Sequence, residues 1–496
     1  MLPVYQNIPF VCIFLCMISG ISMPLFKKGR SAYRLMLFVC AVVTVLSFIL
    51  MARLSINEEY FVYQMGHFPA PWGNELSAGP LEAMLCVMFG SVMGLSLLGG
   101  RKTMTEDILE PKQRLYFAMI SMLLASMLAM TYSNDIFTDY VFIEISTIAA
   151  CAIVMARDTA KTIAATIRYL IISLLGSGLF LIGVVLLYCI TGHLLMPNIQ
   201  QKILEIIADG SYTVPLTMVV GLLTIGIAIK SALFPFYAWL PYAHGGATTA
   251  SSAILSGLVL KGYIVMLMKI FYRVFTIEAV RSLRVTNVMF VFGIAGMIVG
   301  SIGALKEEHI KRMLAYSSIA QIGYIFMGIG LGTDLGIVAA FFHMLVHAAA
   351  KPLLFLCAGR LSEVQGHEKS LYRLRGAALK DKLAGAGFTV GALSMIGIPL
   401  FAGFVSKYFF ADASLLSGHK MWPALLALAA SSVLNALYYV PAVMALWTPS
   451  VFSKIGGPVK NTGFAVSAPI LTAAVILLGC CAAPVVELIG SGLALL

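Results

Sequence analysis

An all-α polytopic membrane protein of about fourteen transmembrane helices is the fold class the sequence predicts. Three observations predict it. The chain of 496 residues is 60% hydrophobic and only 11% charged, where a soluble protein carries about 25% charged residues. Its apolar residues gather into runs of about 20, the length that crosses a bilayer. These runs are continuous rather than alternating, which argues against an outer-membrane barrel. In lipid the backbone must satisfy its own hydrogen bonds, so the runs are helices.

The spans lie near residues 4–26, 33–53, 80–99, 115–133, 135–156, 166–192, 213–240, 247–272, 286–305, 310–331, 334–358, 384–416, 422–447 and 465–492. The first follows no basic residue and is followed by Lys27, Lys28 and Arg30, so it reads as a retained helix rather than a signal peptide. With alternating spans, one side collects Lys27, Lys28, Arg30 and Arg34, then Arg101, Lys102, Lys112 and Arg114, then Arg157, Lys161 and Arg168. Arg360, Lys369, Arg373, Arg375, Lys380 and Lys382 fall on the same side. The long loop near 54–79 carries Glu58, Glu59 and Glu75 on the other. The positive-inside rule then puts the basic loops in the cytoplasm and both termini outside. The net charge of +11 is read as these loops, not as nucleic-acid binding. Residues 197–209 (PNIQQKILEIIAD) suggest a short amphipathic helix on the outer surface. The nine cysteines form no CxxC pair, which gives no zinc or iron–sulfur signature in this chain.

The most informative stretch runs from Gly221 to Met268. Two apolar segments meet there at a break marked by Pro235, Pro241 and Gly245-Gly246. Lys230 sits near the end of the first segment and Lys261 deep in the second. An ammonium at the centre of a membrane helix costs about 2.5–3.5 kcal/mol even on the lenient insertion scale. Two beside an interruption point to a path for protons or cations, because broken helices at membrane depth line protein-enclosed cavities. Lys261 lies roughly 20 Å along its helix, too deep to reach the surface easily. Lys269 lies near the outer edge, where it can snorkel, and is given no role.

Other ionisable residues join this set. Glu144 lies within the fifth span (DYVFIEISTIAA), where a carboxylate is protonated or faces a cation. A Glu144–Lys230 pair would act as a switch: moving the carboxylate away favours proton release. His343, His347 and Lys351 stand four residues apart on one helix face and suit a proton relay. Pro352 disfavours helical geometry at Lys351. The two histidines alone lack a third ligand for a metal. His244, in the loop after the first break, is a candidate for proton access. Lys407 follows Gly397, Pro399 and Gly403, a second break that echoes the first and suggests two structurally repeated halves.

These residues carry a family resemblance. The chain resembles an antiporter-like membrane subunit of the superfamily that joins respiratory complex I, Mrp Na+/H+ antiporters and energy-converting membrane-bound hydrogenases. The signatures are IKSALFPFYAWLPYAH at 229–244, AILSGLVLKGY at 253–263, IKRMLAYSSIAQIGY at 310–324, HMLVHAAAKPLLFLCAG at 343–359 and PLFAGFVSK at 399–407. The resemblance covers most of the chain, strongest from about 130 to 415. It implies two inverted five-helix repeats, spans 4–8 and 9–13, with spans 7 and 12 broken. It divides the chain into an N-terminal three-helix segment (1–114), a first repeat (115–275), a second repeat (276–450) and a C-terminal helix (451–496).

By position the resemblance makes Glu144, Lys230, Lys261, His343, His347, Lys351 and Lys407 a central proton relay. It implies no cofactor in this chain. Iron–sulfur clusters or other redox centres belong to partner subunits, alongside further antiporter-like subunits and a peripheral redox arm. Protons are the expected ion, with Na+ as the alternative, and a redox-free Mrp-type complex is the alternative assembly. The expected location is a bacterial or archaeal cytoplasmic membrane. Where relatives often read LPDAHAEAPTPVSA, this chain reads LPYAHGGATTASSA, so Tyr242, Gly246, Thr248 and Ala250 replace Asp, Glu, Pro and Pro. His309 stands where an Asp is usual. His244 and His309 are therefore the candidates for proton access.

Overall fold

The computed structural model describes residues 4–68, 73–449 and 461–496; the expected boundary at 450–451 lies outside the described residues. Thirteen of the described helices are long and apolar enough to cross a membrane. They are α1 (Val4–Leu25), α2 (Gly29–Asn57), α3 (Pro80–Gly99), α4 (Glu110–Tyr132), α5 (Ile136–Met155), α6 (Ala160–Thr191), the first half of α7 (Thr213–Lys230) and α8 (Thr249–Phe275). The second half of α7 is Trp239–Gly246. Then come α9 (Val285–Leu305), α10 (Ile310–Gly330) and α11 (Asp334–Val364). The twelfth span is two shorter helices, Lys382–Ile396 and Ala402–Leu415, together α12. Gly418–Trp447 is α13 and Thr462–Cys480 is α14.

The protein is thus almost entirely helical and polytopic, and both expected breaks are present. In α7 the interruption spans 231–238, where Pro235 has no N–H to continue the ladder. In α12 it spans 397–401. Gly397 has φ +93°, and a Cβ there would stand 2.8 Å from Lys407 Cδ, so only glycine fits both the backbone and the lysine stem. The core is built by α8, α10 and α11, which are almost wholly buried, while α1, α2, α6 and α14 leave broad apolar faces exposed.

Four details depart from the sequence expectation. The loop near 54–79 contains a small hairpin, β1 (Phe61–Gln64) antiparallel to β2 (Glu75–Ala78), with Phe61 opposite Ala78. The last span is not one helix. It stops at Cys480 and restarts as Ala482–Ala494, because Pro484 cannot donate to the carbonyl four residues back. His244 lies in the second half of α7 rather than in a loop. Lys351 remains helical, since α11 continues through Pro352. There Pro352 packs on Gly257, where a Cβ would stand 2.5 Å from Pro352 Cγ, and tertiary packing outweighs the local preference. The amphipathic segment does form a helix, Met196–Ala208.

Candidate functional site

The irregular points of α7, α8 and α12 coincide with lysines. Lys230 is the last residue of the first half of α7, at the end where carbonyls are unsatisfied and the helix dipole is negative. Its ammonium donates to Thr147 Oγ1 at 2.6 Å and stands 5.6 Å from the centre of the Tyr263 ring. Lys407 solves the same problem in another way. It folds back from the second half of α12 and donates to the carbonyl of Ile396, the last residue of the first half, at 2.7 Å. Ser432 Oγ on α13 accepts a second bond at 2.9 Å.

Between these ends lie Lys261 on α8 and Lys351 on α11, both fully buried. A π-turn over Leu255–Val259 precedes Lys261, and such turns release carbonyls from the α pattern. The Lys261 ammonium donates to one of them, Ser256 O. Lys351 Nζ donates to Leu314 O on α10 at 2.9 Å and reaches Tyr439 Oη at 3.4 Å. Two serines bridge the lysines: Ser256 Oγ meets Ser318 Oγ at 2.8 Å, and Ser318 Oγ donates to Leu314 O at 2.9 Å. One turn and two turns along α11 from Lys351, His347 and His343 continue toward Lys407. Their ring centres are 6.4 Å apart. His343 Nδ1 meets Ser406 Oγ at 2.9 Å, and Tyr324 lies between His343 (5.6 Å) and the Lys407 ammonium (5.2 Å). Both His347 nitrogens are buried without a partner among the described residues.

The structure thus gathers Lys261, His343, His347, Lys351 and Lys407 along one polar seam, with Lys230 at the other broken helix. Glu144 on α5 is half-buried with Oε1 unpartnered among the described residues. It does not form a direct ion pair with Lys230; Thr147, three residues on, takes the ammonium instead. The expected Glu144–Lys230 ion pair is therefore not formed among the described residues. His244 is fully buried and stacks on Phe355 at 4.8 Å, both ring nitrogens free of partners among the described residues. His309 starts α10 at the basic-loop end. There it lines a cavity of about 500 Å³ together with Tyr242 and Gly246. Burial and the nearby Lys369, Lys311 and Arg312 push its pKa down to about 4.

Sequence reading missed two parts of this network. One is the stripe Ser317, Ser318, Gln321 and Tyr324 on α10, whose spacing of three and four residues marks one helix face. Gln321 is fully buried with both amide atoms unpartnered among the described residues. Ser317 meets Tyr439 Oη at 2.9 Å and accepts from Tyr438 Oη at 3.0 Å. The other is a second group of charges toward the hairpin end. Lys269 does not snorkel. It is buried, 3.0 Å from Asp139 Oδ2, and donates to the carbonyls of Met130 and Ser133 at 2.6 Å each. Four residues on, Arg273 pairs with Glu82 at 2.8 Å and bonds Ser77. The end of α4 and the start of α5 cover Lys269, and β2 and α3 reach Arg273, so the outer edge expected for Lys269 is protein, not water.

Residues 133–437 match the family described as NADH:quinone oxidoreductase/Mrp antiporter, TM. The chain is 33% identical over 390 residues to NADH-quinone oxidoreductase subunit N of Desulforudis audaxviator, covering 78% of this chain and 76% of that protein. It is 28% identical over 404 residues to a Na(+)/H(+) antiporter subunit of Alkalihalophilus pseudofirmus, covering 81% and 80%. A chain of the membrane-bound sulfane sulfur reductase, an archaeal respiratory membrane complex, superposes with a TM-score of 0.88 at 25% identity, covering 98% of this chain and 97% of that one. A chain of the Mrp complex from Dietzia sp. shares the fold at the same TM-score and 21% identity, covering 99% and 97%.

Proposed function

Because the chain belongs to the NADH:quinone oxidoreductase/Mrp antiporter transmembrane family, we propose that it carries protons through the seam from Glu144 and Lys230, past Lys261, Lys351, His347 and His343, to Lys407. The observation that carries this reading is the company these lysines keep. Lys230, Lys261, Lys351 and Lys407 are held by hydroxyl and carbonyl oxygens, and none forms an ion pair among the described residues. A buried ammonium without a counter-charge is costly, and losing its proton relieves that cost. The seam also supplies hydroxyls and imidazoles, which both accept and donate. Sodium prefers several oxygen ligands with charge among them, and Glu144 is the one carboxylate assigned to the path.

In this reading the chain is a non-redox subunit of a redox-driven membrane complex. Electron transfer belongs to a peripheral arm with its own iron–sulfur or other centres, and further antiporter-like subunits flank this one. The similarity to a quinone oxidoreductase subunit and to a sulfur reductase chain supports it. A redox-free Na+/H+ antiporter complex is the second reading, supported by the similarity to the Alkalihalophilus antiporter protein.

The test uses the complex as purified gently from native membranes and reconstituted in vesicles. Lys230→Met and Lys407→Met are expected to assemble normally and to slow proton uptake by roughly tenfold or more. Normal uptake in both variants would remove these lysines from the path. The subunit census of the same preparation separates the assemblies. Redox subunits in fixed ratio support the first reading; small hydrophobic partners without metal support the second.

A further inference from the structure

The cavity at the basic-loop end has a chemistry the proton path does not use. It opens between the start of α6, the second half of α7 and the start of α10, and holds about 500 Å³, room for a polar headgroup. Four cations line it: Lys161 and Arg168 from α6, Arg312 from α10 and Lys369 from the loop after α11. Only Arg312 is ion-paired among the described residues, to Glu307 at 3.0 Å. No acidic side chain among the described residues lines the cavity. Tyr242 is clasped by two of the cations, Arg168 at 4.6 Å and Arg312 at 5.5 Å from its ring centre, so the guanidinium groups are held rather than loose.

The field inside is strongly positive. Burial first, then Lys369, Lys311 and Arg312, push the His309 imidazole down to about 4. Burial first, then Arg157, also lower Lys369, and Lys161 adds to the effect against the opposing pull of Asp107. Such a cavity lowers its energy by taking an anion.

The walls say which anion. Ala164 and Arg168 line the cavity, and the same face of α6 continues at helical spacing through Ile171 and Leu175. Ile171 is 64% exposed and Leu175 52% exposed. A basic cavity at the end of a span therefore opens onto an apolar track that runs along the span into the membrane. Free phosphate would use the first feature alone, whereas a lipid would use both, its chains lying on a face of α6 that already meets the membrane. We infer that this cavity binds the phosphate of an anionic phospholipid, with the acyl chains lying along the Ile171–Leu175 face of α6. On the side that the positive-inside rule assigns to the cytoplasm, anionic lipid is abundant and each nearby Lys or Arg adds to the attraction.

The test takes the complex, strips its lipid by detergent exchange and offers three probes. These are phosphatidylglycerol in mixed micelles, phosphatidylcholine in mixed micelles, and inorganic phosphate. Native mass spectrometry reads lipid retained on this chain, and the unfolding midpoint reads stabilisation. Phosphatidylglycerol is expected to be retained and to raise the midpoint, with phosphatidylcholine much weaker. Lys161→Ala and Arg168→Ala, both exposed on α6, are expected each to weaken apparent affinity about fivefold. Lys28→Ala, a basic residue outside the cavity, is expected to leave it unchanged. Equal stabilisation by inorganic phosphate, with the same dependence on Arg168, would overturn the lipid in favour of a free anion. No preference over phosphatidylcholine, or no effect of either α6 variant, would overturn the site. So would a photoactivatable group at position 164 that labels a partner protein and no lipid.

Discussion

Two groups of buried charge share helix α8 and are treated oppositely. Toward the hairpin end, Lys269 and Arg273 each meet a carboxylate, Asp139 and Glu82. In the centre, among the described residues, Lys261 meets only a carbonyl oxygen, and so do Lys351 and Lys407 apart from neutral hydroxyls. Lys261, Lys269, Arg273 and Lys351 are buried, and Lys407 is half-buried. A paired charge is fixed, because breaking the pair strands its partner. A cation among neutral oxygens is stranded already, and a shift in its surroundings changes whether it keeps its proton. The hairpin end therefore reads as an anchor and the centre as the moving part.

The comparison breaks most visibly at the anchor. Asp139→Ala is expected to destabilise the folded protein by about 3–5 kcal/mol, seen as a large drop in the unfolding midpoint in detergent. Asp139→Leu combined with Lys269→Met should recover most of the loss, since a packed apolar pair of similar volume is often neutral. If the single variant unfolds no more easily than the native protein, the anchor reading is wrong.

Next comes the contact that joins the two central helices. Gly257→Ala would set a Cβ against the Pro352 ring and should cost about 1–3 kcal/mol by overpacking. Its signature is reduced proton transport with the Asp139–Lys269 end unaltered, which hydrogen exchange on α8 can read separately. Lys351→Arg should then keep the fold and slow transport roughly tenfold, because a guanidinium does not give up its proton. Full transport with arginine would mean that Lys351 is a fixed charge, like Lys269. The smallest effect belongs to Thr147→Val. It removes one hydrogen bond from Lys230 and should change transport only a few-fold, measured as vesicle acidification.

Much of the candidate site was legible in the sequence. Lys230, Lys261, Lys351 and Lys407 stand out because a charge inside an apolar run is rare and expensive. The breaks stand out because proline and glycine interrupt a helix wherever they fall. The pairings were not legible. Glu144 and Lys230 form the natural pair on paper, yet Thr147 receives the lysine. Lys269 looked like an edge residue, yet it meets Asp139 across 130 residues of chain. The α10 stripe at Ser317, Ser318, Gln321 and Tyr324 had the right spacing, but serine and glutamine in a span carry no charge to draw notice.

The sequence by itself determined that the chain is a bundle of membrane helices, where two of them break, and that Lys230, Lys261, Lys351 and Lys407 sit within or at the ends of apolar spans. Those follow from the cost of putting charge, or unpaired backbone, into lipid. Only the tertiary structure decided which groups are paired and which are left alone. In a soluble helix the apolar face reveals the inward side. In a membrane helix the face toward lipid is as apolar as the face toward protein, so the direction a side chain points is lost from the pattern. Asp139 and Glu144 lie five residues apart on α5, and nothing in their letters says that one is locked to a lysine while the other has no ion pair among the described residues. The packing of α5 against α8 makes that choice.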